Sequence, residues 1–378
     1  MEWRSPTVFT FMWLSITARR KWVNLLLLSE EVMVVDRIKK VCSLALIFMI
    51  FLPGIYAGSK DLSKVGTTSA IALEIPVDPR GVAMGCAVIA DNNPNSSTLY
   101  WNPALATRIN RITVRFVSMP YLVDTKFFHA SVVVPTPFLT VGAYISTWSM
   151  GDMKVRTEYY QNGTGEMFSA GDMVIGISVA RNLTDHFAIG GTIKYIQERI
   201  WHCVANGFAI DFGSIFTIDI WNGIRIGTSL RNYGTEMQMN GRDLYHYHDP
   251  DETMDGNNEN IISGYVTNKW MLPLSFKLGV STDIVRTSPL RWTLEIDARH
   301  PNNNYESLDF GTEIEFNKIF LIRVGVERVF LRDEKVSLGA GFGLRLPPKV
   351  RINTGFDYGF KDFGDLGYVH SFSVELGI

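Results

Sequence analysis

The sequence predicts an all-β protein, a fourteen-stranded antiparallel transmembrane β-barrel with an N-terminal segment plugging the lumen. Three observations predict it. From about residue 112 to the C-terminus, segments of roughly ten residues alternate apolar and polar side chains, one after another. The polar faces carry full charges, while the apolar faces are nearly uniform, as a lipid-facing surface must be. Short connections also alternate with long ones, the pattern of periplasmic turns and external loops. Composition agrees. Of 378 residues, 46% are hydrophobic and 20% charged, which excludes wholesale disorder. The 32 glycines and the 12% of aromatic residues suit strands better than a helical bundle. A net charge of −2 gives no electrostatic case for nucleic acid.

The first element, residues 1–57, reads as a signal-peptide region outside the fold. Arg37, Lys39 and Lys40 form a basic start, Val41 to Leu52 is apolar, and Pro53-Gly54 breaks the run before Ala57, the expected cleavage site. The run is too short to span a bilayer as a helix. Residues 1–32 precede any part a signal needs, so Met33 is the expected start. Residues 1–57 hold seven of the 36 basic and four of the 38 acidic residues, so the exported chain is mildly acidic. Residues 58–110 follow as an Ala- and Gly-rich segment without strand alternation, long enough to fill the lumen of a fourteen-stranded barrel.

The barrel occupies 111–378. Strands are expected near 112–118, 126–134, 138–146, 172–180, 187–199, 204–218, 223–232, 273–282, 291–299, 307–316, 319–330, 336–345, 349–359 and 367–377. In 336–345, for example, Val336, Leu338, Ala340, Phe342 and Leu344 share one face and Ser337, Gly339, Gly341, Gly343 and Arg345 the other. Tight connections at 135–137, 181–186, 219–222, 317–318 and 346–348 carry turn residues; 283–290 is slightly longer. The long connections, 147–171 and 233–272, are then external; 153–160 is a candidate further strand, placed in the first of them because the strand count is even. Trp221, Trp292, Phe316 and Phe320 at one end, with Trp201, Trp270, Tyr358 and Tyr368 at the other, suggest two interfacial girdles. This places the chain in the cell outer membrane, in contact with its lipid.

Two blocks carry a resemblance. Leu73-Glu74-Ile75-Pro76-Val77-Asp78-Pro79-Arg80-Gly81-Val82-Ala83-Met84-Gly85 and Tyr100-Trp101-Asn102-Pro103-Ala104 look like the opening of the PorV/PorQ family of outer-membrane proteins. Phe363 to Gly367 and His370 to Ser373 resemble that family's closing hairpin. Cys86 and the polar stretch Asn92–Thr98 depart from its pattern. The alternation Tyr368, His370, Phe372, Val374, Leu376, Ile378 is similar to the C-terminal signal for outer-membrane insertion, with Ile378 where Phe is usual. The resemblance implies a barrel similar to the long-chain fatty-acid transporters, with Arg80, Met84, Gly85, Trp101, Asn102 and Pro103 as the plug motif. It implies a shuttle that binds exported proteins carrying a C-terminal secretion domain in type IX secretion and surface attachment. The alternative is a transporter for hydrophobic compounds such as long-chain fatty acids.

The residues themselves point to no enzyme and no cofactor. The seven histidines are scattered, with no HExxH and no GxSxG, and no glycine loop cradles a phosphate. Cys42, Cys86 and Cys203 form no disulfide framework and no zinc pattern; spacing gives no support to a Cys86–Cys203 bond. The acidic loop 233–272 is the candidate partner surface, through Asp249, Asp251, Glu252 and Asp255. Its spacing does not match an EF-hand, and no metal is assigned to it. Arg225, Arg231, Arg291, Arg299, Arg323, Arg345 and Arg351 are expected to pair inside the lumen with Glu295, Asp297, Glu313, Glu315, Glu327 and Glu375.

Overall fold

The computed structural model describes residues 64–250, 253, 260–331, 336–346 and 352–378. The expected signal region lies outside them, as do Asp251, Glu252, Asp255 and Arg351. Fourteen strands form the wall: β1 Thr113–Pro120, β2 Lys126–Pro135, β3 Thr140–Ser149, β4 Ala170–Asn182, β5 Phe187–Ile200, β6 Cys203–Ile218, β7 Ile224–Gly234, β8 Ser275–Arg286, β9 Leu290–Pro301, β10 Ser307–Phe316, β11 Phe320–Val329, β12 Ser337–Leu346, β13 Asn353–Asp362 and β14 Tyr368–Gly377. Each pairs antiparallel with the next. β1 pairs with β14, from Thr113 opposite Gly377 to Ser118 opposite Phe372, so the sheet closes on itself and leaves no edge among these strands.

The alternation sets which side chains face in. Along β8, Ser275, Lys277, Gly279, Ser281 and Asp283 are buried, while Phe276, Leu278 and Val280 are exposed. Phe116, Ile145, Ile177, Phe212, Ile322, Phe342, Phe356 and Val374 continue that exposed apolar belt around the ring. A soluble protein rarely leaves so large an apolar surface in water; here it faces lipid, and the chain is an outer-membrane barrel. Among the described residues no helix is long and apolar enough to cross a membrane; the strands cross it.

The turns at one end are tight. Asn317 and Lys318 (φ 51° and 59°) make the left-handed pair that matches strand twist. At the other end, 150–169 and 235–274 are long. The first contains a small hairpin, Met153–Lys154 with Met167–Phe168, and the second pairs Tyr245–His248 with Ile261–Gly264. The strand register breaks in three places beside an inward aspartate, Asp211, Asp309 and Asp283, and at the first two a backbone N–H donates to it. The Asn232 N–H (φ 64°) donates to Asp211 Oδ1 at 2.7 Å, and the Arg328 N–H (φ 57°) to Asp309 Oδ1 at 3.0 Å. These two bulges each free a backbone donor, and a buried carboxylate accepts it.

Candidate functional site

The site is the lumen. Residues 70–109 run through it in short turns and are almost wholly buried. A five-residue helix, Pro79–Ala83, is capped by Asp78, whose carboxylate accepts the Gly81 N–H at 3.2 Å. The same carboxylate accepts Trp101 Nε1–H at 3.0 Å and Asn95 Nδ2–H at 3.1 Å, tying three parts of the segment together. The 3-10 turn Pro103–Arg108 has Asn102 as its cap and Pro103 first, the start that the Asn-Pro step predicts.

The motif residues are packing and hydrogen-bonding parts of this segment. Arg80 binds Asp91 and the Asn93 carbonyl, with Nη2 3.3 Å from Glu313 of β10. Met84 lies over Gly311 of β10. Gly85 has φ +61° and passes so close to β11 that a Cβ would sit 2.5 Å from Val326 N, so only glycine fits. Trp101 meets Tyr100 edge-on at 5.6 Å. Asn102 Nδ2 donates to the carbonyls of Ile89 (2.8 Å) and Ser214 (3.0 Å). Pro103 rests against Gly190 of β5, where a Cβ would lie 2.6 Å from the Ala104 nitrogen. All six lie within the lumen.

The lumen wall has two unlike halves. From β7 to β13 it is ionic. Asp357 receives Arg115 (3.0 Å), Arg323 (2.7 Å) and Arg345 (3.0 Å). Arg323 also binds Glu313 at 2.7 Å, Arg299 binds Asp309 at 2.8 Å and Glu327 at 3.1 Å, and Arg291 binds Glu315 at 2.6 Å. This half also grips the segment's backbone. The Val88 and Ile89 N–H groups donate to Asp297 Oδ2 (3.0 and 3.3 Å) and the Ala90 N–H to Glu295 Oε1 (2.6 Å), while Lys277 donates to the Cys86 carbonyl at 2.9 Å. The expected arginine partners of Glu295 and Asp297 therefore need correcting. Three successive buried N–H groups have no strand beside them, and the carboxylates accept those instead. Arg231, expected in the same ladder, pairs with none of its acids.

From β14 through β6 the wall is mixed: the pairs Arg115–Glu375 (2.7 Å) and Lys194–Asp211 (2.8 Å) stand beside a continuous apolar strip. Val369, Met119, Phe127, Tyr144, Val174, Ile196 and Ala209 pack on Leu73, Ile75, Val77, Leu99, Tyr100 and Ala106 of the segment. Its polar residues mostly satisfy one another: His129 with Ser146 at 2.8 Å, and Ser178 with Thr192 at 2.7 Å. The strip runs the height of the barrel, from Met119 and Phe127 at the loop end to Val133 and Ala180 at the turn end.

Of the loop candidates, Asp249 follows the exposed hairpin strand Tyr245–His248. Nearby, His202 Nδ1 lies 2.9 Å from Asp243. Desolvation opposes ionisation of Asp243, but the His202 hydrogen bonds and the Arg242 charge hold it below the usual carboxylate range. Among the described residues no group of three or more His, Cys, Asp or Glu is placed to hold a metal ion. Cys86 and Cys203 are both free and buried. Sequence reasoning passed over Asp78, Asp211 and Lys194. Each reads as an ordinary polar position, and only the three-dimensional pairing, such as Lys194 with Asp211 at 2.8 Å, gives it a role.

No protein-family model matches the chain, and no curated protein matches it. Among solved structures it is similar to the toluene transporter TodX of Pseudomonas putida, at 10% identity over 79% of this chain and 96% of that one, with a TM-score of 0.49. The toluene transporter TbuX of Ralstonia pickettii gives 11% identity over 82% and 98%, with a TM-score of 0.48. A Pseudomonas aeruginosa FadL homologue gives 11% identity over 80% and 98%, with a TM-score of 0.49.

Proposed function

We propose that this barrel transports hydrophobic compounds across the outer membrane, through the seam between the N-terminal segment and the wall from β14 to β6. The two-faced lumen carries this reading. On the β7–β13 side the segment is held by charges and backbone hydrogen bonds, which are costly to break when buried. On the other side hydrogen bonds joining Ala70, Ser96, Asn102 and Arg108 to β2, β5 and β6 flank an apolar strip, and an apolar compound can replace the contacts of that strip at little cost. The lumen itself, rather than the likeness to the toluene transporters, supports this.

The protein-shuttle reading needs a surface that cargo can touch. The motif residues behind it, Arg80 to Gly85 and Trp101 to Pro103, are enclosed. What favours it is the exposed aromatic hairpin with Tyr245, Tyr247 and Ile262 on its surface. One experiment separates the two. A Cβ at Gly142 of β3 would meet Leu99 Cδ1, so a cysteine pair at Leu99 and Gly142, with Cys86 and Cys203 replaced by serine, spans the seam. Transport predicts that cells lose uptake of a radiolabelled hydrophobic compound on oxidation and regain it on reduction. Uptake that ignores the crosslink overturns the proposal. Exported protein accumulating in the periplasm on deletion of 240–262 would favour the shuttle.

A further inference from the structure

Beneath the long loop 235–274, where the loop-side ends of β7 to β11 meet the segment, lies a cavity of ≈ 20 Å³. Arg231, Trp101, Ser275, Asn303 and Tyr305 are on its wall. Arg231 is only 7% exposed, yet no hydrogen bond or ion pair reaches it from the described residues. Its guanidinium carbon lies 5.2 Å from the ring centres of both Tyr100 and Trp101. Stacking on ring faces attracts a cation, but it satisfies none of the five N–H donors and supplies no counter-charge. Three other polar atoms of the wall are also buried without partners: Ser275 Oγ, Tyr305 Oη and Asn303 Oδ1.

No surrounding carboxylate pairs with Arg231. Asp211 gives Oδ1 to Lys194 at 2.8 Å and to the Asn232 N–H at 2.7 Å, and its buried Oδ2 has no partner. Glu74, on the cavity wall, accepts Asn303 Nδ2–H at 2.9 Å and faces Arg328 at 3.9 Å. Arg299, also on the wall, is taken up by Asp309 and Glu327. A buried cation without a counter-charge is costly, and a water cannot neutralise it.

We propose that this cavity is a binding site for one small monovalent anion of halide or formate size. Arg231 is its charged ligand, and the Ser275 and Tyr305 hydroxyls are its neutral donors. Its volume admits about one or two small species, so an anion with a single water that donates to Asn303 Oδ1 fills it, and an acyl chain or a nucleotide does not fit. Because Arg231 belongs to β7 and its stacking partners Tyr100 and Trp101 to the segment, the anion joins the segment to the ionic half of the wall. The site stands apart from the transport reading, and its test does not measure transport.

The test uses the full barrel in detergent, with bromide as the probe. Thermal unfolding is followed as bromide replaces gluconate at constant ionic strength, and crystals soaked in bromide are examined for anomalous scattering. The expected result is a saturable rise in the unfolding temperature and an anomalous peak within hydrogen-bond distance of Arg231. Arg231→Gln should weaken the apparent bromide affinity about tenfold or more, the loss of a charged hydrogen bond. Tyr305→Phe and Ser275→Ala, which keep the charge, should weaken it several-fold, and they decide the matter if Arg231→Gln does not fold. A stability that ignores bromide with no peak in the cavity, peaks at exposed sites only, or unchanged affinity in these variants would overturn the site.

Discussion

Asp357 is a carboxylate with no access to solvent that accepts three guanidinium groups, from Arg115, Arg323 and Arg345. Three strands, β1, β11 and β12, are thereby tied to β13 through one side chain. Removing that charge leaves buried cations short of a partner, which costs about 3–5 kcal/mol. Asp357→Asn should therefore lower the unfolding free energy obtained from urea titration of the folded barrel by an amount in that range, with no change in its outer belt; an unchanged value would show that the cluster contributes nothing net. At this scale the sequence was half legible. Alternation put Asp357, Arg323 and Glu313 on the inward face, because a period of two is local. Which acid meets which base depends on register between strands far apart in the chain. For the same reason Glu295 and Asp297 turned out to hold backbone N–H groups, and Arg231 turned out to have no acid at all.

The fourteen strands were legible because each must present an apolar row to lipid for its full length, and that row is written in consecutive residues. Their ends were less so. The strand expected at 349–359 is observed at Asn353–Asp362, because Val350 and Ile352 continue the alternation ahead of the first observed pairing, Asn353 with Gly377. Of the hairpin of Met153–Lys154 and Met167–Phe168, two residues deep, the first strand falls in the candidate stretch 153–160, and the second is too short to leave a periodic trace. The segment in the lumen has no period either. What marked it were its cap and turn residues, and its seat depends on glycines in the wall. Gly190→Val would push a branched side chain into the Pro103–Ala104 backbone. We expect the barrel to stay closed, with unchanged heat-dependent mobility on gels, while the segment loosens and single-channel conductance in planar bilayers rises. Unchanged conductance would show that the seat tolerates the displacement.

The whole molecule has two unlike ends, with tight turns on one and long loops on the other, and both barrel termini, Thr113 and Gly377, on the turn side. A protease site inserted within 240–262 should be cut on intact cells, and one at 317–318 only after the outer membrane is opened; cleavage at 317–318 from outside would invert the orientation. The pairing of β1 with β14 has a consequence for how such a molecule comes into being. The wall is completed only by Tyr368–Gly377, the last of the fourteen strands in chain order, yet what it encloses precedes the first of them. Residues 70–109 are therefore made before the wall that surrounds them is closed. A version lacking the last strand would lose the seal, while Glu295, Asp297 and Lys277 would still grip the filling.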